Sequence, residues 1–96
     1  MIIEQMSIDE QRVAIFKALA DPTRLQIVRT LYQNKKEMSC GEVGEQCEVS
    51  KSNASYHFRT LREAGLTTLR KDAQTKYIQL NTETFDKYIP GFLDTL

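Results

Sequence analysis

Residues 39 to 66 carry two helix-start signals and one helix-stop signal at a spacing that leaves the chain little freedom. Ser39 and Glu42 stand in the S-x-x-E pattern of a capping box. Val43 and Cys47, four residues apart, share one helical face, and Gly44 beside them lets another helix approach. Glu48 and Val49 form a turn, with Val49 as an apolar plug. Ser50 is an N-cap for a second helix that Gly65 ends as a C′ residue, with Leu66 packing back under it. A short capped helix, a tight turn and a longer capped helix make a helix-turn-helix. The second helix of such a pair commonly enters the DNA major groove.

At about 100° per residue, Ala54, Phe58 and Leu61 gather within about 60° of arc as the core side of that second helix. Ser52, Tyr56 and Arg59 gather opposite them, with Ser55 and Thr60 at the edges. A polar helix face is often only solvated. Serine and tyrosine, however, serve solvation less well than Glu or Lys, and Lys51 and Ser52 lie at the helix N-terminus, where backbone N–H groups favour phosphate. The next segment adds a second contact element. Thr68 to Lys71 and Lys76 to Leu80 read as strands joined by a turn over Asp72 to Thr75. Arg70, Lys71 and Lys76 cluster near its tip, as in a wing.

Overall charge is zero, 13 basic against 13 acidic residues, which by itself argues against nucleic acid. The distribution reverses the argument. Residues 50 to 80 hold six basic and two acidic residues, net +4, which leaves −4 on the rest. A cationic face on an acidic body is the footprint of a phosphate-binding surface. Ninety-six residues make one small domain, residues 1 to 96. Met1 to Gln5 offer no basic leader, no stretch is long enough to span a membrane, and two cysteines without a secretory signal fit a reducing cytoplasm.

Ser7 and Glu10 form another capping box for a first helix reaching about Ala20, with Val13, Phe16 and Ala20 on its main stripe and Ile8, Ile15 and Leu19 off it. Asp21 caps a second helix with Pro22 at N1, running to about Gln33 with Leu25, Val28, Leu31 and Tyr32 inward. Near the C-terminus Phe85, Ile89, Phe92, Leu93 and Leu96 recur with helical period, interrupted at Pro90-Gly91. This reads as a helix over about 83 to 88 and a final turn starting at Pro90. The two ends carry more apolar surface than a peripheral helix needs. The reading is a homodimer interface of Val13, Phe16, Phe85, Ile89, Phe92, Leu93 and Leu96.

The order helix, helix, helix-turn-helix, wing, helix makes a mainly α winged helix-turn-helix of about five helices and a two-stranded hairpin. Its sequence resembles the ArsR/SmtB family of bacterial winged-helix repressors over about residues 12 to 96. The resemblance is carried by Phe16-Lys-Ala-Leu-Ala-Asp-Pro-Thr-Arg-Leu25, Ser50-Lys-Ser-Asn-Ala-Ser-Tyr-His-Phe58 and Leu61-Arg-Glu-Ala-Gly-Leu66. It implies a homodimer joined through the first and last helices, a palindromic operator, and release of DNA when an effector such as a small molecule binds. Family metal sensors often place Cys-x-Cys where this chain has Ser39 and Gly41 around Cys40. Others place histidine and carboxylate ligands on the last helix, which here has Glu83, Asp86 and Asp94 but no histidine. Glu48 replaces a glycine common in the turn; a left-handed conformation there costs roughly 1 kcal/mol.

Cys47 occupies a core-like position and reads as a small hydrophobe. Cys40, at N1 of its helix, is where a helix terminus can lower a thiol pKa, which keeps a thiol- or metal-responsive repressor open as an alternative. Seven helical residues separate the two by about 10 Å, too far for a disulfide. His57 is a packed or capping histidine or, alternatively, a phosphate contact, and its spacing from the cysteines fits no closed zinc site. No catalytic constellation and no cofactor motif is present, so an enzyme is not expected. The reading is a DNA-binding repressor. Ser52, Ser55, Tyr56 and Arg59 face base edges, and Lys51, Arg70, Lys71 and Lys76 face phosphate, with Thr60 and Arg62 beside them. The rival class is a protein-interaction winged helix, whose wing would be apolar or mixed rather than basic.

Overall fold

Every helix-start signal in the chain caps a helix. The computed structural model of the chain describes residues 7–96; the Met1 to Gln5 stretch considered above as a leader lies outside them. Ser7 and Ser39 form complete capping boxes with Glu10 and Glu42 at the starts of α1 (Ile8–Leu19) and α3 (Cys40–Gln46). The Asp21 carboxylate accepts from Arg24 N ahead of α2 (Pro22–Asn34), and Ser50 Oγ accepts from Asn53 N ahead of α4 (Lys51–Glu63). The same motif closes α3 and α4. Val49 N donates to Gly44 O and Glu48 N to Glu45 O, just as Leu66 N donates to Leu61 O and Gly65 N to Arg62 O. Gly65 meets the left-handed requirement with φ 80°, whereas Glu48 meets it with a side chain at φ 56°.

The core is built from Ile15, Ala18 and Leu19 of α1, Ile27, Val28 and Leu31 of α2, Val43 of α3, and Ala54, Phe58 and Leu61 of α4. The α4 stripe is the expected one. On α1 the expectation is reversed: Ile15, Ala18 and Leu19 are buried while Val13 and Phe16 are half exposed. Gln11 and Arg12 lie on the inward side, where Gln11 Nε2 donates to Ala64 O at 3.2 Å and Arg12 Nε to Tyr88 O at 3.0 Å. These polar residues disguised the true core stripe. Ile27 of α2 is likewise fully buried although it stood outside the expected set.

The strands β2 (Thr67–Asp72) and β3 (Thr75–Leu80) pair antiparallel from Thr67↔Leu80 to Asp72↔Thr75. The loop is therefore only Ala73-Gln74, one residue tighter at each end than expected. A third strand, β1 (Met38–Ser39), pairs Met38↔Ile78 and Ser39↔Tyr77, so the sheet order is β1-β3-β2. Two residues are too short to show periodicity, which is why this strand was not anticipated.

After the sheet, α5 (Thr82–Tyr88) stops before Pro90, and a 3-10 turn covers Leu93–Thr95, three residues later than the expected restart. Phe85 is buried and stacks on Phe92 with ring centres 6.2 Å apart. Tyr32 Oη donates to Asp94 Oδ1 at 2.6 Å, tying the C-terminal segment to α2 and raising the Tyr32 pKa. Among the described residues no helix is long and apolar enough to cross a membrane.

Candidate nucleic-acid interface

Burial of Ala54, Phe58 and Leu61 turns the opposite face of α4 outward. Lys51, Ser52, Ser55, Tyr56 and Arg59 are all exposed on it, with Tyr56 presenting about half its surface at 53%. Thr60 is half-buried and its hydroxyl donates to Tyr56 O at 3.0 Å, one turn back along α4. Arg62 is exposed at the same end.

The wing separates its three cations. Directly paired residues share a face of a hairpin. Leu69↔Ile78 and Lys71↔Lys76 occupy one face, and Arg70↔Tyr77 the other. Lys71 and Lys76 thus stand opposite each other as two exposed like charges, an arrangement that costs the free hairpin stability. Arg70 is set apart from them. Its Nε donates to Glu37 Oε2 at 3.2 Å, its Nη2 donates to Glu37 Oε1, and its guanidinium lies 4.6 Å from the Tyr77 ring centre. The hydrogen bonds from Arg70 hold the Glu37 carboxyl below the usual carboxylate range. Arg70 is therefore held to Glu37 on the opposite face of the wing from Lys71. Side-chain alternation along a strand was the signal that separates them.

A cleft of about 840 Å³ runs between α3–α4 and the wing. Lys51, Ser55, Arg59 and Arg62 line one wall, Gln74, Thr75 and Lys76 the other, and Phe58 and Leu69 reach its floor. Of the α4 residues that the sequence assigned to phosphate or base edges, Lys51, Ser55, Arg59 and Arg62 thus converge with Lys76 on one concave surface, while Ser52, Tyr56 and Thr60 are not among its lining residues. Lys71 adjoins it through its partner, and Arg70 does not.

His57 faces away from this cleft. Its Nδ1 lies 3.1 Å from Arg24 Nη1 and 3.9 Å from Asp21 Oδ2, so it is a packed histidine and its ring is not turned to the cleft. Arg24 Nε donates to Ala18 O at 2.6 Å, and the same guanidinium lies 5.9 Å from the Tyr56 ring centre. Sequence reasoning placed Arg24 only within a signature stretch; its link to α4 was not seen.

Cys40 also departs from expectation. It is half-buried beneath the cleft, and burial pushes its thiol pKa up, outweighing the nearby charges of Lys76 and Arg62. Cys47, also half-buried, lies 3.6 Å from Thr30 Oγ1. Both are free thiols. Among the described residues no group of three or more His, Cys, Asp or Glu is placed to hold a metal ion.

The apolar residues at the chain ends divide into two sets. Val13 and Phe16 are about half exposed (50% and 52%), with Ile8 beside them at 56%. Ile89, Phe92 and Leu96 are half-buried. Phe85 and Leu93, expected at the same surface, are instead buried within the protomer at 1% and 7% exposure.

A helix-turn-helix domain model matches residues 19–70, from the end of α1 through most of β2. The HTH-type transcriptional regulator YceK of Bacillus subtilis is 61% identical over 92 residues, which cover 96% of this chain and 92% of its own length. The arsenical resistance operon repressor of Bacillus subtilis is 41% identical over 68 residues, 71% of this chain and 64% of its own. The chain belongs to the ArsR/SmtB family of winged-helix transcriptional regulators. The structure of another such regulator, HlyU from Vibrio cholerae, matches it with a TM-score of 0.77 at 33% identity, covering 95% of this chain and 92% of that one. An ArsR/SmtB member of this kind is a transcriptional regulator and not an enzyme, and its winged helix-turn-helix is a DNA-binding fold.

Proposed function

We propose that the protein is a cytoplasmic homodimeric repressor that reads a palindromic operator. Each α4 lies in a major groove with Ser52, Ser55, Tyr56 and Arg59 toward base edges. Lys51, Lys71 and Lys76 contact phosphate alongside, with Arg62 at the end of the same wall. The observation that carries this reading is the Lys71↔Lys76 pair. Two like charges directly opposed on a wing tip weaken the free protein, and an anionic partner relieves them. A wing that docks on an apolar or mixed protein surface gains nothing from that arrangement.

The dimer reading rests on the half-exposed stripe of Ile8, Val13 and Phe16, joined by Ile89, Phe92 and Leu96. A two-fold protein reads two half-sites about one helical turn apart. Repression is supported by the arsenical-operon relative, whose name states that role. The family's usual metal sites lack their ligands, since Ser39 and Gly41 flank Cys40 and the last helix has no histidine.

The test is selection of duplexes from a randomised pool followed by affinity measurement. Wild type should enrich a palindrome, and Arg59→Ala and Tyr56→Ala should each lower affinity for it by about 1–3 kcal/mol while leaving scrambled DNA unaffected. Failure to enrich any sequence sinks the DNA-reading assignment.

A further inference from the structure

Arg24 joins three parts of the reading head. Its Nε donates to Ala18 O at the end of α1, its backbone N–H donates to the Asp21 carboxylate at the start of α2, and its Nη1 meets His57 Nδ1 on α4. The guanidinium also lies 5.9 Å from the Tyr56 ring centre, and Tyr56 meets His57 edge-on at 5.4 Å. An arginine offers donors only and keeps its proton in proteins. The 3.1 Å approach therefore requires a lone pair on His57 Nδ1, which places the imidazole proton on Nε2. This is the neutral tautomer.

We propose that Arg24 is a positioning residue for operator reading, and that protonation of His57 releases α4 and Tyr56 from it. An imidazolium carries N–H on both ring nitrogens, so it cannot accept from Arg24 and it repels the guanidinium. Asp21 Oδ2, 3.9 Å from Nδ1, is the group that then draws the ring. Arg24 N donates to the Asp21 carboxyl and holds it below the usual carboxylate range, so Asp21 remains an anion in mild acid. Among the described residues the charged groups within ion-pair or hydrogen-bond distance of the imidazole are Arg24 from α2 and Asp21 from the α1–α2 corner. α4 itself adds the Tyr56 ring, and α1, α3 and β2 add no charge at that distance. Histidine is the side chain that ordinarily changes charge between about pH 5 and 8. The predicted device is thus a proton-dependent loss of sequence discrimination, with the phosphate contacts of the wing untouched.

The proposal rests on the DNA-reading assignment for its consequence, but its chemistry is measurable without DNA. His57 is the only histidine in the chain, so its ring nitrogens give one unassigned set of signals. In the free protein at about pH 8 the nitrogen spectrum should show the Nε2–H tautomer; an Nδ1–H tautomer overturns the proposal. With a selected operator, the ratio of specific to scrambled-duplex affinity should fall about tenfold between about pH 8 and 5.5, the worth of one charge-assisted hydrogen bond. His57→Asn keeps an amide oxygen near the Nδ1 position and cannot be protonated, so it should hold its discrimination at both values. Arg24→Lys cannot serve Ala18 O and His57 together, and should show the acid-type ratio already at about pH 8. Matching pH profiles for wild type and His57→Asn overturn the proposal. Failure of wild type to select any duplex overturns the DNA reading instead, and the nitrogen spectrum still decides the tautomer.

Discussion

Replacing Lys76 by glutamate should move stability and DNA binding in opposite directions. Lys76 faces Lys71 across the hairpin with no residue between them and the two-residue tip except Asp72 and Thr75. The substitution turns a like-charge cross-strand pair into an opposite-charge one. Each such pair is worth about 0.2–1 kcal/mol, and the like-charge pair carries a similar penalty. Both terms are screened because both side chains are exposed, so the net gain should be about 0.5 kcal/mol. For a chain of 96 residues that raises the melting midpoint by roughly 2–4 °C. DNA binding should weaken at the same time. If each protomer of a dimer loses one phosphate contact, the slope of log K against log salt flattens by about 0.9 per contact, or about 1.8 for the pair. The assays are thermal unfolding followed by circular dichroism and operator titration across salt concentrations. Loss of stability together with an unchanged salt slope would refute the assignment of this pair to phosphate.

The two helix-closing motifs provide a matched comparison. Glu48→Gly should stabilise by about 0.5–1 kcal/mol, because removing a left-handed side chain gains roughly 1–2 kcal/mol and glycine entropy returns part of it. Gly65→Ala should destabilise by a similar amount, since a methyl there meets only Thr84 at 3.9 Å and the cost is backbone strain alone; urea midpoints moving in the same direction for both would contradict this. Phe16→Asp, at a residue 52% exposed in the single chain, should leave the fold intact but convert a dimer of about 22 kDa, twice the chain's 11.1 kDa, into monomers in light scattering. Glu37 titrates below its ordinary value in the folded state, so its contribution is complete above about pH 4.3 and is lost as pH falls through its depressed value. Thermal stability between about pH 5 and 2 should therefore fall more steeply for wild type than for Glu37→Gln.

The caps made the first four helices legible, because each of these starts depends on a side chain and a backbone N–H within three residues of one another. Ser39 with Glu42 and Ser50 with Asn53 are local events, and local events survive in a linear reading. The outward face of α4 followed from the same periodicity. What failed depended on tertiary partners. α1 has two apolar stripes, and the choice between them was made by Ala64 O and Tyr88 O, which accept from Gln11 and Arg12 across more than fifty residues. Phe85 and Leu93 carry helical spacing whether they face a partner or their own core, and only the packing of α5 distinguishes the two. Arg70 was grouped with Lys71 by proximity in sequence, although neighbouring strand residues point apart. Its partner Glu37 lies 33 positions earlier, beyond any local pattern.

Ser39 is at once a strand residue opposite Tyr77 and the cap of α3. The same residue therefore belongs to the base of the wing and to the first helix of the helix-turn-helix, with no hinge between them. Met38 beside it pairs with Ile78, and both are buried. The wing root is welded into the head on the side away from β2, and Arg70 braces it again through Glu37. Residues 71 to 76, with the Lys71↔Lys76 pair and the Ala73-Gln74 tip, lie beyond these fastenings. A head built this way meets DNA as a gauge of set width. On the proposed reading of DNA, the distance between α4 and the root of the wing is part of the protein, and it is the double helix, through its own stiffness and groove width, that must conform.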